Sequence, residues 1–177
     1  MLTGEKPAEC NYCWDVEALG KDFLSDRSYR SSESWASARF AEVSENKWNK
    51  DIDPSYVEVN FNHTCQFKCS YCSPHISSAW MAEIKQQGTY PTRYGHNRLD
   101  WIKKSGLVPI PDGQPNPYLD AFWKWWPELY PKLKIFRMTG GEPLLDRNTF
   151  KVFDYAKNTP NPNLILSLTS NLGVKKP

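Results

Sequence analysis

All five cysteines of this 177-residue chain fall into two short groups, Cys10 with Cys13, and Cys65 with Cys69 and Cys72. The second group reads Cys65-Gln-Phe-Lys-Cys69-Ser-Tyr-Cys72, a C-x3-C-x2-C spacing that puts three thiols within eight residues. A single loop of that length can wrap one edge of an iron–sulfur cluster. Cluster proteins commonly supply one cysteine per iron, so three thiolates on a four-iron, four-sulfur cluster leave one iron open to an exchangeable ligand. Structural zinc is the competing chemistry. Cys10, Cys13, Cys69 and Cys72 make two C-x2-C pairs of legitimate zinc spacing, although that set leaves Cys65 without a role.

Such a loop needs rigid elements on either side. From Ser55 to Thr64, Val57, Val59 and Phe61 alternate with Glu58, Asn60 and Asn62, the period of a strand with one buried face. Ser73 and Pro74 read as an N-cap and first helical turn, and Ile76, Ala79, Trp80 and Ile84 recur at helical spacing up to Gly88. Residues 88–118 are rich in Pro and Gly and read as a long loop or lid, with one helical turn near Leu99–Lys104. Leu119 to Leu129 reads as an aromatic helix, Leu133 to Met138 as a second strand, Asn148 to Lys157 as a helix and Leu164 to Thr169 as a third strand. Upstream of Pro54 the pattern suggests irregular structure with short helices. Alternation of strands and helices predicts an α/β fold with parallel strands joined by right-handed crossovers. Loops after the carboxyl ends of such strands share one rim, so Cys65–Cys72 and the Gly140-Gly141-Glu142-Pro143 turn are expected to face one pocket.

The C-x3-C-x2-C spacing, the aromatic Tyr71 before the last cysteine, and Gly140-Gly141-Glu142-Pro143 after the second strand together resemble the radical S-adenosylmethionine (SAM) superfamily. The resemblance implies that Cys65, Cys69 and Cys72 hold a 4Fe-4S cluster whose open iron takes the methionine end of SAM. It further implies cleavage of SAM to a 5′-deoxyadenosyl radical that abstracts hydrogen from a substrate, with electrons from a donor protein. By the same resemblance Tyr71 lies near the adenine. Gly140 and Gly141 let backbone approach the methionine ammonium, Glu142 offers it a carboxylate, Pro143 completes the cofactor-binding turn, and Ser170 and Asn171 reach the ribose or the carboxylate. The fold implied is the first half, about three βα units, of a partial (β/α) barrel.

Cys10-Asn-Tyr-Cys13 resembles the closing pair of the auxiliary-cluster module found in twitch or SPASM-type radical SAM proteins. On that likeness Cys10 and Cys13 are candidate ligands of a second iron–sulfur cluster, and the substrate is expected to be a peptide or a peptide-derived molecule. Two thiolates are too few for a cluster, and only three strand–helix units are found. The chain is therefore expected to be a truncated gene product, a fragment or one piece of a split protein, with residues 1–50 as an amino-terminal extension and 51–177 as a partial core domain.

Composition narrows the alternatives. With 22 basic and 20 acidic residues and no long run of like charge, the chain carries no nucleic-acid footprint. No stretch approaches the ~18 consecutive apolar residues of a membrane helix. Glu5, Glu9, Asp15 and Glu17 stand where a signal peptide would be apolar, so a cytoplasmic location with reduced thiols is expected. His63, His75 and His96 read as surface or packing residues, and Lys132 and Lys134 as solvated. Phe122, Trp123, Trp125 and Trp126 read as a helix packed on a sheet in preference to a base-stacking platform. The activity expected is that of a radical SAM enzyme. The alternative is a binding module in which zinc or a cluster is structural glue.

Overall fold

The computed structural model describes residues 3–174. Three parallel strands, β1 (Tyr56–Asn60), β2 (Ile135–Thr139) and β3 (Ile165–Leu168), form one sheet in the order β1-β2-β3. Register sets Val57 beside Phe136, Val59 beside Met138, and Met138 beside Leu168. The parallel α/β arrangement is the one expected from the alternation of strand and helix patterns.

Helices α4 (Ser78–Gln87), α5 (Leu99–Lys104) and α6 (Pro117–Leu129) lie between β1 and β2, and α7 (Arg147–Asn158) between β2 and β3. Asn116 starts α6, its side chain accepting the N–H groups of Tyr118 and Leu119, with Pro117 at the first helical position where no N–H is needed. Pro127 has no N–H to offer Trp123, and α6 gives way to a 3-10 turn at Tyr130–Lys132. Asp146 caps α7 through Asn148 N.

The core is aromatic. Trp126, Leu129, Phe136, Met138 and Val152 are buried together with Phe61, and Val57, Val59, Phe122 and Trp123 pack against them. Trp126 meets Phe136 edge to face at 4.6 Å between ring centroids. The tryptophan stripe of α6 is thus mainly packing, with Trp125 on its exposed side. Each fully buried apolar side chain contributes roughly 1.5–3 kcal/mol. On the outer side of the sheet, β3 pairs with no described strand, and Ile165 is 62% exposed.

Three local expectations change. The N-cap of the helix after the cysteine loop is Ser77, whose hydroxyl accepts Trp80 N at 3.3 Å, because Pro74–Ile76 forms a separate 3-10 turn after Ser73. Upstream of Pro54 the chain is more helical than expected, with α1 (Asn11–Ala18), α2 (Asp26–Ser32) and the 13-residue α3 (Ser34–Asn46). Ser55 Oγ ties α3 to the start of β1 by donating to the Trp35 carbonyl at 2.6 Å. Lys132, expected to be solvated, pairs with Asp53 at 2.8 Å and Glu128 at 3.3 Å. Among the described residues no helix is long and apolar enough to cross a membrane.

Candidate cluster-binding rim

The cysteine loop leaves β1 and is fastened by the first turn of α4. Ser78 N donates to the His63 carbonyl at 2.8 Å and Ala79 N to that of Cys65 at 3.3 Å. Ser77 Oγ donates to the Phe67 carbonyl at 2.9 Å, and Trp80 Nε1 to that of Cys69 at 2.9 Å. Alternate carbonyls from 63 to 69 are thereby held by four successive residues, 77–80. This is why the Ser-Ser-Ala-Trp run matters: the orphan donors of a helix amino terminus, with two hydroxyls and an indole, bind a loop that has no ladder of its own.

The loop after β2 lies against the loop after β1. Glu142 N donates to the Thr64 carbonyl at 2.7 Å and Gly141 N to that of Asn62 at 3.3 Å. A Cβ on Gly141 would sit 2.3 Å from the Thr64 oxygen, and one on Gly140, where φ is +106°, 2.0 Å from Asn60 Oδ1. Glycine at both positions is what lets these loops touch. The side of each glycine where a Cβ would project therefore faces the protein.

Glu142 is 1% exposed. Its carboxylate accepts Ser170 Oγ at 2.8 Å, Asn171 N at 2.7 Å and Leu144 N at 3.0 Å, so it is turned to the loop after β3 and to its own 3-10 turn at Pro143–Leu145. Asn171 continues the connection, its Nδ2 approaching Cys65 Sγ at 3.8 Å and its Oδ1 accepting Gln66 Nε2 at 3.1 Å. Cys65, Glu142, Ser170 and Asn171 are thus brought together, one loop from each strand. The signal for Asn171 lay in its place directly after the third strand, but its hydrogen bonds to both other loops could not be read from the pattern.

All five cysteines are free thiols, and Cys65, Cys69 and Cys72 are partly exposed. Cys65 Sγ accepts the Phe67 N–H at 3.4 Å in addition to the Asn171 amide. Burial pushes the Cys72 thiol up, and the neighbouring Cys65 and Cys69 add to the rise. Tyr71 is 90% exposed, and hydrogen bonding with Cys69 raises its phenol above the ordinary value. Behind the loop, Cys72, Trp80, Tyr90, His96 and Asn97 line a cavity of about 140 Å³.

Among the described residues, no group of three or more His, Cys, Asp or Glu side chains is gathered closely enough to hold a metal as it stands, so the Cys10, Cys13, Cys69, Cys72 zinc set is not assembled. The donor chemistry of the Cys65 loop nevertheless suits an iron–sulfur cluster. It offers three partly exposed sulfurs on one loop, one of which already accepts two N–H groups of the kind that orient and tune a cluster thiolate. The amino-terminal pair is differently placed. Cys10 precedes α1 and is partly exposed, while Cys13 is 2% exposed. Trp14 anchors this segment by donating to the Pro7 carbonyl at 3.0 Å and lying 4.2 Å beneath the Arg27 guanidinium.

No family model, curated protein or solved structure matches this chain.

Proposed function

We propose that this chain belongs to a radical SAM enzyme and forms the first strand–helix units of its partial barrel. Cys65, Cys69 and Cys72 would bind a 4Fe-4S cluster and the rim around Gly140–Pro143, Ser170 and Asn171 would bind SAM. The observation that carries this reading is the joining of the three post-strand loops through Glu142 and Asn171, which sets Cys65 beside the residues expected to bind SAM.

When bound, the cluster and SAM would supply the one-electron chemistry that ends in hydrogen abstraction from substrate. The protein's own residues hold and orient. Ser77, Ser78 and Trp80 keep the thiol-bearing loop in shape, and Asn171 supplies an N–H to Cys65 Sγ. Glu142 acts here as the positioning residue for Ser170 and Asn171, since its carboxylate is already occupied by three donors. The outer edge of β3, with Ile165 exposed, is where further strands of the barrel would pair. Peptide-type substrates and a second cluster at Cys10 and Cys13 are the finer parts of the proposal, and they rest on the C-x2-C likeness alone.

The test is anaerobic reconstitution with iron and sulfide, then metal analysis and electron paramagnetic resonance of the reduced protein with and without SAM. A cluster signal that shifts on adding SAM, and is lost in Cys69→Ala, is expected. Bound zinc, or a signal indifferent to SAM, would replace this reading with the structural-module alternative.

A further inference from the structure

The two faces of the sheet differ in chemistry. Val57, Phe136 and Met138 belong to the face packed in the aromatic core. On the other face, register aligns Tyr56, Ile135 and Ile165 in a first row, Glu58, Arg137 and Ser167 in a second, and Asn60 with Thr139 in a third. Parallel sheets ordinarily carry apolar side chains on both faces, because both are covered. Here only the first row is apolar, and each further row lies about 6.6 Å nearer the rim.

That first row is the wall of a groove. Trp35 of α3 stacks on Tyr56 with 4.8 Å between ring centroids, and with Ala38, Lys134, Ile135 and Ile165 it lines a space of about 530 Å³. Small-ligand sites span roughly 300–1,000 Å³. One row above, two opposite charges are anchored by hydroxyls. Glu58 accepts Tyr56 Oη at 2.7 Å and Thr139 Oγ1 at 3.1 Å, while Arg137 donates to Thr169 Oγ1 from Nε at 3.3 Å and from Nη2 at 3.0 Å. The nearest approach of the two charges, 3.9 Å, is beyond hydrogen-bond reach. Among the described residues Arg137 Nη1 makes no hydrogen bond and Lys134 no ion pair, whereas Arg39 at the groove is paired with Glu42 at 2.7 Å. One carboxylate, Glu58, thus stands against two cations, Lys134 and Arg137, and the balance favours an anion.

We infer that this face binds a substrate with an apolar body and a carboxylate, the body in the groove and the carboxylate on the open side of the Arg137 guanidinium. A guanidinium edge matches a carboxylate in shape and charge, and Glu58 beside it opposes a dianion such as a phosphate. Arg137 is bonded to Thr169, which directly precedes Ser170 and Asn171, so the bound molecule would lie beneath the residues that would hold SAM. That the ligand is the substrate rests on the radical SAM reading, whereas the binding itself does not.

N-acetylphenylalanine, which joins an aromatic body to one carboxylate, and its primary amide are the probes. Each is titrated into the isotope-labelled full chain without iron and followed by proton–nitrogen NMR. The acid is expected to bind about fivefold tighter than the amide, the upper range for a partly exposed ion pair, and to shift Ile135, Ile165 and the Arg137 Nε–H. Arg137→Gln keeps a donor for Thr169 and should abolish that preference while leaving the affinity for the amide unchanged. Ile135→Ala should weaken both. No binding of the acid, equal binding of acid and amide to the wild type, or a preference that survives in Arg137→Gln would overturn the proposal. Wild-type shifts confined to other parts of the chain would overturn it as well, whatever the stability of the variants. Acid binding that persists in a protein whose reconstituted cluster ignores SAM would remove the radical SAM reading and leave the carboxylate site standing.

Discussion

Glu142, at the carboxyl end of β2, accepts the backbone N–H of Asn171 at 2.7 Å, and Asn171 in turn brings its side-chain amide to Cys65 Sγ. One buried carboxylate therefore couples the loop after the third strand to the loop after the second, and through Asn171 to the first. The rim is a connected hydrogen-bond network, and its members should respond together to substitution.

Removing the carboxylate strands three donors, two of them backbone N–H groups. Glu142→Ala should lower the unfolding free energy by about 2–4 kcal/mol, given about 1–3 kcal/mol for each buried group left unpaired and partial rescue by water. Glu142→Gln, which keeps an acceptor, should cost less. Urea denaturation of the two variants checks this, and equal stabilities would show that the carboxylate does not bear on the network.

Gly141 touches the Thr64 carbonyl so closely that a methyl group has no room. Gly141→Ala should destabilise by about 1–3 kcal/mol, the usual cost of overpacking, and should reduce the iron retained on reconstitution. Gly106 has positive φ but open space around it, so Gly106→Ala carries only the backbone strain. A thermal shift in Gly106→Ala as large as that in Gly141→Ala would contradict the close-approach argument.

Trp80 holds the Cys69 carbonyl through its indole N–H. Trp80→Phe preserves the aromatic packing but removes that bond, and should cost about 0.5–1.5 kcal/mol. Amide hydrogen exchange should speed up chiefly across residues 65–72. Exchange that rises evenly over the whole chain would point to general destabilisation instead.

Burial lowers the pKa of His75, with the charge of His96 acting in the same direction, and burial likewise lowers that of His63. A histidine held below its ordinary value favours the folded state when neutral. Its contribution is present above the unfolded pKa, near 6.5, and is lost as pH falls through the lower folded value. Stability of the apo protein should therefore decline on acidification below about pH 6.5, less so in His75→Gln. Denaturation midpoints at several pH values between 5 and 8, with proton NMR titration of the histidines, measure both effects.

Trp126 and Phe136 are the centre of the aromatic core, at 1% and 0% exposure. Trp126→Ala should cost about 3–5 kcal/mol, whereas Trp125→Ala on the exposed side should be close to neutral. Comparable losses would mean that the helix packs on a different face.

Periodicity alone placed the strands to within a few residues, because a sheet with one buried face needs apolar side chains at every second position, as in Val57, Val59 and Phe61. The helix from Arg147 and the turn at Leu99–Lys104 were equally legible, the first opened by its Asp146 cap and both bounded by Pro and Gly punctuation. Spacing of Cys65, Cys69 and Cys72 likewise determined which residues are candidate ligands, since thiol number and separation are covalent facts of the chain. What only the tertiary structure decided is which partner each polar group takes. That Glu142 serves Ser170 and Asn171, that Lys132 pairs with Asp53, and that Ser77 instead of Ser73 caps α4 all depend on groups brought together across loops. A hydrogen bond depends on distances of a few tenths of an ångström between residues as many as 106 positions apart, and no local pattern encodes those distances.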